Sequence, residues 1–356
     1  MDDLSTNSER KGFNLGAVLR KRGFVLSENA FLGKGRFGKV YKALHIESDK
    51  EMAIKIIDKQ KLSFTTRFKF LPREIRGWQK LHHRHIVELF HYFEEDQKVF
   101  FATQLAEKGD LLSYIQKNGP QTEHLAQSWM WQLVSAVQYM HLQWIAHRDL
   151  KLDNILLFSD NNVKISDFGL CRDEILGFPV TKVAELKKIS YSSFCKCTYS
   201  AASLHGCDTT FLKKSEHELS MTYCGSKAFM APEVLLALPH PPFKADVWSL
   251  GIIAFALLTN RYPFDHRATI IRMIKAQRSR AYRFPERIKI SAACRYTIDA
   301  LLTYDFAMRP TIHQVNSMSR HLHFGYCYGS ERTTGRVDGE GGVCCYPVLL
   351  INIIVA

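Results

Sequence analysis

Residues 147–154 bring His147, Arg148, Asp149, Lys151 and Asn154 together inside the otherwise apolar run WIAHRDLKLDNILL. Ionisable groups cost free energy to desolvate unless they are paired or bind something, so a buried strand and loop normally avoids this density. Downstream, NVKISDFGL adds Asp167. These residue types can share one task. Asp149 can accept the proton of an incoming hydroxyl, while Asn154 and Asp167 offer hard oxygen ligands. Such oxygens suit magnesium bridging phosphates, an ion that keeps its waters and needs few protein groups. The charges read as a catalytic loop.

The elements that must position this loop follow from periodicity. From Phe24 to Asp58, glycine-bearing turns alternate with β-branched and aromatic runs, FLGKGRFGKVYKAL, HIESDK and EMAIKIID, which predicts three antiparallel strands with Gly33, Gly35 and Gly38 in the first hairpin. A G-x-G-x-x-G alone fits any flexible hairpin. A dinucleotide fold would need a helix directly after the glycines, and the strand-like KVYKALHI stands there instead. The competing use is a flap whose backbone N–H groups approach phosphate oxygens. Lys55, inside AIKII, places an ammonium among apolar positions and needs anions there. Helical spacing follows Pro72 and carries Glu74, which reads either as a solvated helix face or as the partner of Lys55. Further on, DLLSYIQKNG and EHLAQSWMWQLVSAVQYMHLQ switch to i, i+3, i+4 spacing and predict helices.

Five strings in one order, the glycine loop, AIK, HRDLKLDN, DFG and APE at 231–233, resemble the protein-kinase signature set over about residues 20–325. AVLRKRGF, FLPREI, KGDLLSYI and CGSKAFMAPEVL are most similar to the testis-specific serine/threonine kinases, neighbours of the calmodulin-dependent group. The resemblance implies an α+β, two-lobed kinase fold: a small antiparallel β-sheet lobe with one main helix, and a larger, mostly helical lobe. It implies ATP and Mg2+ as cofactors. Leu32, Gly33, Lys34, Gly35, Arg36, Phe37, Gly38 and Val40 would cover ATP with Ala53, and Lys55 would touch the α- and β-phosphates, oriented by Glu74. Thr103 would guard the back of the adenine pocket, and Gln104 to Ala106 would form the hinge.

By the same resemblance Asp149 is the catalytic base, Lys151 marks the serine/threonine class and touches the γ-phosphate, and Asn154 and Asp167 hold magnesium. Asp246 would anchor the catalytic loop from a core helix, and Arg309 would pair with Glu233. Thr222 occupies the place of an activating phosphothreonine met by Arg148 and Arg172, while Ser226 would stay unmodified and contact Asp149 or Lys151. Asp110 and Asp153 stand where basophilic kinases read an arginine three residues before the target hydroxyl. Trp129, Trp131 and Trp248 read as core. A pseudokinase scaffold would usually have lost Lys55, Asp149 or Asp167, and all three are present.

The 356 residues suit one large domain or two lobes. The expected boundaries are an N-terminal extension over 1–23 and a kinase domain over 24–322, with lobes at about 24–103 and 107–322. The nine cysteines show no two-plus-two zinc spacing. No apolar run approaches the roughly 20 residues of a membrane helix and the start lacks a signal peptide, so a cytoplasmic monomer acting on protein substrates is expected, with no membrane partner. The net charge of +13 is spread along the chain, which reads as solvated surface and argues against a nucleic-acid partner. Two segments depart from the family. Asp167 and Glu233 lie 66 positions apart, which marks 176–210 as an atypical insert, and 323–356 is a glycine-rich, then apolar tail expected to be disordered. The bland reading of both is translated non-coding sequence from a flawed gene model.

Overall fold

Alternating burial along the first strands sorts their side chains onto two faces, and both faces are covered. The computed structural model describes residues 13–35, 38–64, 66–168, 172–173 and 225–324, without the side chains of 69–70, 73–74, 172–173 and 319–324. Helix α1 (Leu15–Lys21) precedes β1 (Phe24–Lys34), β2 (Gly38–His45) and β3 (Lys50–Asp58). Helix α2 (Leu71–Gln79), β4 (Leu89–Glu95) and β5 (Lys98–Gln104) complete the small lobe. The five strands form one antiparallel sheet in the order β1-β2-β3-β5-β4.

Because strand side chains alternate, Ile54, Ile56, Phe100 and Ala102 fall on one face with Phe24, Val18 and Leu19. Ile57, Val99 and Phe101 fall on the other and join Leu71, Trp78 and the large-lobe core. Lys55 therefore projects on the side that meets the large lobe. The 1–23 extension carries an element that its sequence pattern did not announce. Asn14 caps α1 by accepting from the Ala17 N–H at 3.0 Å, and Leu19 is completely buried against the sheet. Lys21 and Arg22 fasten this helix to Glu95 at 3.1 and 3.2 Å.

The large lobe begins with α3 (Leu111–Asn118) and α4 (Glu123–Leu142). Short strand pairs follow, β6 (Ile145–Ala146) with β9 (Arg172–Asp173), and β7 (Ile155–Leu157) with β8 (Val163–Ile165). Then come α5 (Pro232–Leu235), α6 (Pro242–Thr259), α7 (Ile270–Arg278), α8 (Ala292–Leu301) and α9 (Ile312–Phe324). Helix α6 is long and apolar enough to cross a membrane by composition, yet 78% of it is buried in this fold, so it serves as the lobe's central core helix. Trp129 and Trp248 are fully buried, as their sequence context predicts. Trp131 is not core. It remains 38% exposed, because two residues along α4 turn its side chain away from the face that carries Trp129, Leu133 and Val137.

Candidate active site

The loop at 147–154 is held from below by one buried carboxylate. Asp246, 1% exposed on α6, accepts from the backbone N–H of His147 at 2.9 Å and of Arg148 at 2.8 Å, and its Oδ2 lies 2.9 Å from His141 Nε2. Those bonds fix the loop where Arg148 takes a left-handed backbone, φ +68°. A non-glycine residue in that region costs roughly 1–3 kcal/mol and persists only where neighbours over-determine it. Asp167, φ +61°, is held the same way. Ser166 donates both its N–H (2.8 Å) and its hydroxyl (3.0 Å) to the Asn154 carbonyl, and its own carbonyl lies 3.0 Å from His147 Nε2. The segment carrying Asp167, just past the end of β8, is thereby tied to the loop carrying Asp149.

Around Asp149 the groups converge. Asn154 Nδ2 donates to the Asp149 carbonyl at 2.9 Å and to its Oδ2 at 3.3 Å. Lys151 Nζ lies 3.3 Å from the same Oδ2, and Oδ1 accepts the Ser226 N–H at 3.0 Å. Lys151 also donates to Ser226 Oγ at 3.2 Å, so Ser226 touches both residues the sequence reading named for it. Gly225 explains the glycine of CGSKAF. Its φ is +103°, and a Cβ there would stand 3.0 Å from the Arg148 carbonyl oxygen.

Lys55 lies in register between Val40 on β2 and Phe101 on β5, and its Nζ reaches Asp167 Oδ1 at 2.8 Å. Burial alone would raise the Asp167 carboxyl, but the charge and hydrogen bond of Lys55, aided by His147 and Lys151, hold it below the usual carboxylate range. Behind the pair, rings join the lobes. His147 packs on Phe168 at 5.3 Å, Phe168 on Trp78 at 5.3 Å, and Trp78 on Phe101 at 5.7 Å. The Trp78 indole donates to the Val87 carbonyl at 2.7 Å, which pins α2 to the segment leading into β4.

The small-lobe residues named from the motifs are placed as follows. Gly33 pairs with Val40, and Gly38 sits so close to β3 that a Cβ would stand 2.0 Å from the Ile56 carbonyl oxygen. Ala53 is opposite Thr103, whose hydroxyl donates to the Ala53 carbonyl at 3.3 Å. Gln104 points its side-chain oxygen at Lys164 Nζ, 2.8 Å away. Leu32 and Lys34 lie on β1, and Ala106 follows the strand end. Arg36, Phe37 and all of 174–224, Thr222 and the insert included, lie outside the described residues, as do the side chains of Glu74 and Arg172. The Arg172 backbone pairs with Ala146, two residues before Arg148.

Spacing alone missed His141, Ser166, Trp78 and Gly225. All four lie outside the 147–154 string itself, and only Gly225 left a local signal, in the string CGS. Arg309, 1% exposed, forks onto Glu233 at 2.7 and 3.0 Å, joining the APE segment to the end of the lobe.

Among the described residues no group of three or more His, Cys, Asp or Glu could hold a metal unaided. The oxygens of Asn154 and Asp167 nevertheless fit magnesium. The Asn154 amide NH2 is spent on Asp149, which leaves its oxygen for coordination, and one Asp167 oxygen carries Lys55. Two hard oxygens with substrate phosphates and water make an ordinary shell for that ion.

The family model described as protein kinase domain matches residues 26–184 and 205–319. The chain is 35% identical over 271 residues to testis-specific serine/threonine-protein kinase 4 of Homo sapiens, covering 76% of this chain and 75% of that one. It is 33% identical over 298 residues to testis-specific serine/threonine-protein kinase 3 of Homo sapiens, covering 82% and 96%. To testis-specific serine/threonine-protein kinase 1 of Mus musculus it is 34% identical over 300 residues, covering 84% and 72%.

Proposed function

Because this chain belongs to the protein kinase family and is a protein serine/threonine kinase, we propose that Asp149 is its catalytic base and that Lys55, Lys151, Asn154 and Asp167 assemble its phosphate site. The observation that carries this reading is the joint geometry at Asp149: one carboxylate bonded to Asn154, Lys151 and the Ser226 N–H, beside a Lys55–Asp167 pair.

The residues divide the work as follows. Asp149 orients the target hydroxyl and takes its proton as the new O–P bond forms and the bond from the γ-phosphorus to the bridging oxygen of ADP breaks. Lys151 places a cation beside that carboxylate, where it can meet the charge on the transferred group. Lys55 neutralises phosphate oxygens from the small lobe. Magnesium, held by Asn154 and Asp167, would supply further neutralisation of the phosphates.

Substrate choice follows from two acids. Asp153 is exposed on the catalytic loop, and its charge acts on Tyr262, whose hydroxyl is raised first by burial and then by that carboxylate. Asp110 caps α3 through Ser113, its oxygens 2.8 Å from the Ser113 N–H and hydroxyl, and each retains a lone pair for a guanidinium. The proposed substrates carry an arginine three residues before the target Ser or Thr. Thr222 is proposed as the activating phosphorylation site, read by Arg148 and Arg172. A cytoplasmic site of action suits this activity.

The test is magnesium- and ATP-dependent phosphorylation of a basic Ser/Thr peptide. Asp149→Asn is expected to lower turnover by at least about 10²-fold with the fold retained, and Thr222→Ala to abolish any activation that accompanies phosphate at that residue. Unchanged turnover in Asp149→Asn would refute the assignment.

A further inference from the structure

Within 261–295 there are ten Lys and Arg residues, Arg261 first and Arg295 last, against only Asp265 and Glu286. A local excess of +8 in 35 residues is a large share of the chain's +13, which corrects the reading of that charge as spread along the whole chain. All ten side chains belong to exposed residues. Among the described residues none of the ten forms an ion pair. An ordinary solvated surface intersperses both signs, so a one-sign field of this density is the electrostatic footprint of a partner.

Helix α7 gives the field a shape. Arg272, Lys275 and Arg278 recur every third residue and so share one face, with Ile271 inside the same arc at about 100° per residue. Met273 and Gln277 lie on the opposite side and are buried. Ile271, 71% exposed, is an aliphatic group presented among these cations. Two hydrogen bonds join this helix and its leading loop to the strip beside Asp149: Lys227 Nζ donates to the Ala268 carbonyl at 2.6 Å, and buried Gln277 Nε2 donates to the Met230 carbonyl at 3.1 Å.

We propose that the exposed face of α7 docks an acidic segment of the protein substrate that carries an aliphatic side chain, with carboxylates on Arg272, Lys275 and Arg278 and the aliphatic group on Ile271. This rests on the kinase reading of Asp149 only in naming the docked protein as substrate. Charge complementarity selects the partner. Planar guanidinium forks match carboxylates bidentately, and an aliphatic anchor among them suits a peptide better than a phosphate backbone. Single-stranded nucleic acid would want stacking aromatics, and Ile271 offers none. The segment would raise the local concentration of the target hydroxyl at Asp149 without altering the chemical step.

The experiment uses the full chain and two peptides. One is a short Arg-directed Ser peptide. The other is the same peptide joined by a flexible linker of about 15 residues, reaching roughly 20 Å, to a Glu- and Leu-containing acidic stretch. The extension is expected to lower KM about tenfold at low salt with kcat unchanged. Arg272→Glu/Lys275→Glu/Arg278→Glu should erase that gain while leaving the short peptide's kinetics as they were, and Ile271→Ser should reduce it. Fluorescence anisotropy of the labelled acidic stretch, without ATP, reads docking separately from catalysis. Binding lost in the triple variant, in a preparation that phosphorylates neither peptide, would uphold the docking surface and refute the kinase mechanism. No effect of the extension on wild-type KM, an equal effect in the triple variant, or no loss from Ile271→Ser would each overturn the proposal. So would tighter binding, through the same residues, of a DNA oligonucleotide or a phosphatidylserine vesicle.

Discussion

Lys55 Nζ and Asp167 Oδ1 stand 2.8 Å apart although 112 positions separate them in the chain. This pair joins the small-lobe sheet to the residue after Ser166, and in the proposed mechanism it is where the phosphates would rest. Lys55→Met is expected to lower phosphoryl transfer by at least about 10²-fold and to raise the Asp167 pKa, because burial then acts on the carboxylate without its first opposing cation. Steady-state turnover and the pH dependence of kcat check this. Turnover close to wild type would remove Lys55 from the mechanism.

Trp78 contributes two separable interactions. Trp78→Phe keeps a ring between Phe101 and Phe168 but strands the buried Val87 carbonyl, a loss of about 1–3 kcal/mol. Trp78→Ala also removes the ring, with an expected loss of about 3–5 kcal/mol and a further fall in turnover as Phe168 and Asp167 lose their support. Denaturant unfolding alongside kcat distinguishes the two, and equal stability of both variants would contradict the account.

Breaking the fork between Arg309 and Glu233 leaves an acid that is 2% exposed without its cation. Arg309→Met is expected to destabilise the protein by about 3–5 kcal/mol. The double variant Arg309→Met/Glu233→Gln should be less destabilised than the sum of the single changes, since no charge is then stranded. Additive losses in a double-mutant cycle would show that the two residues act independently.

His85 gives a pH signature. Burial pushes its pKa down to about 4, Arg84, His83 and Lys164 act in the same direction, and the Val163 carbonyl at 3.2 Å opposes them. The folded value thus lies below the unfolded one of about 6.5, and between the two the unfolded chain holds a proton that the folded chain excludes. Stability should therefore fall as pH drops from 6.5 toward 4, by up to roughly 3 kcal/mol for this residue at about 1.4 kcal/mol per unit. In His85→Asn the urea midpoint should change less between pH 7 and pH 5 than in wild type. Identical pH slopes would exclude His85 as a contributor.

Much of the site is legible from the residues alone. Asp149, Lys151, Asn154 and Asp167 stand out because chemistry needs those types at short spacing, and Gly38 because it belongs to the glycine string of the first hairpin. The three strands of the small lobe and helices α3 and α4 show in their alternation and i, i+3, i+4 pattern, which are local properties of the chain. Other features have no local signature. Asp246, which only the family resemblance pointed to, reaches under His147 and Arg148 from 98 or more positions away, and Trp131 leaves the core although its neighbours enter it. Helix α1 is too short to show a period, and only docking against the sheet makes Leu19 a core residue. The basic residues of 261–295 are countable in the sequence, but their common exposure and the shared face of Arg272, Lys275 and Arg278 are decided by the packing of Met273 and Gln277 beneath them. Spacing fixes what nearby residues can do together, whereas pairings between distant residues depend on which surfaces the lobes bury against each other, and that is settled only when the chain has closed.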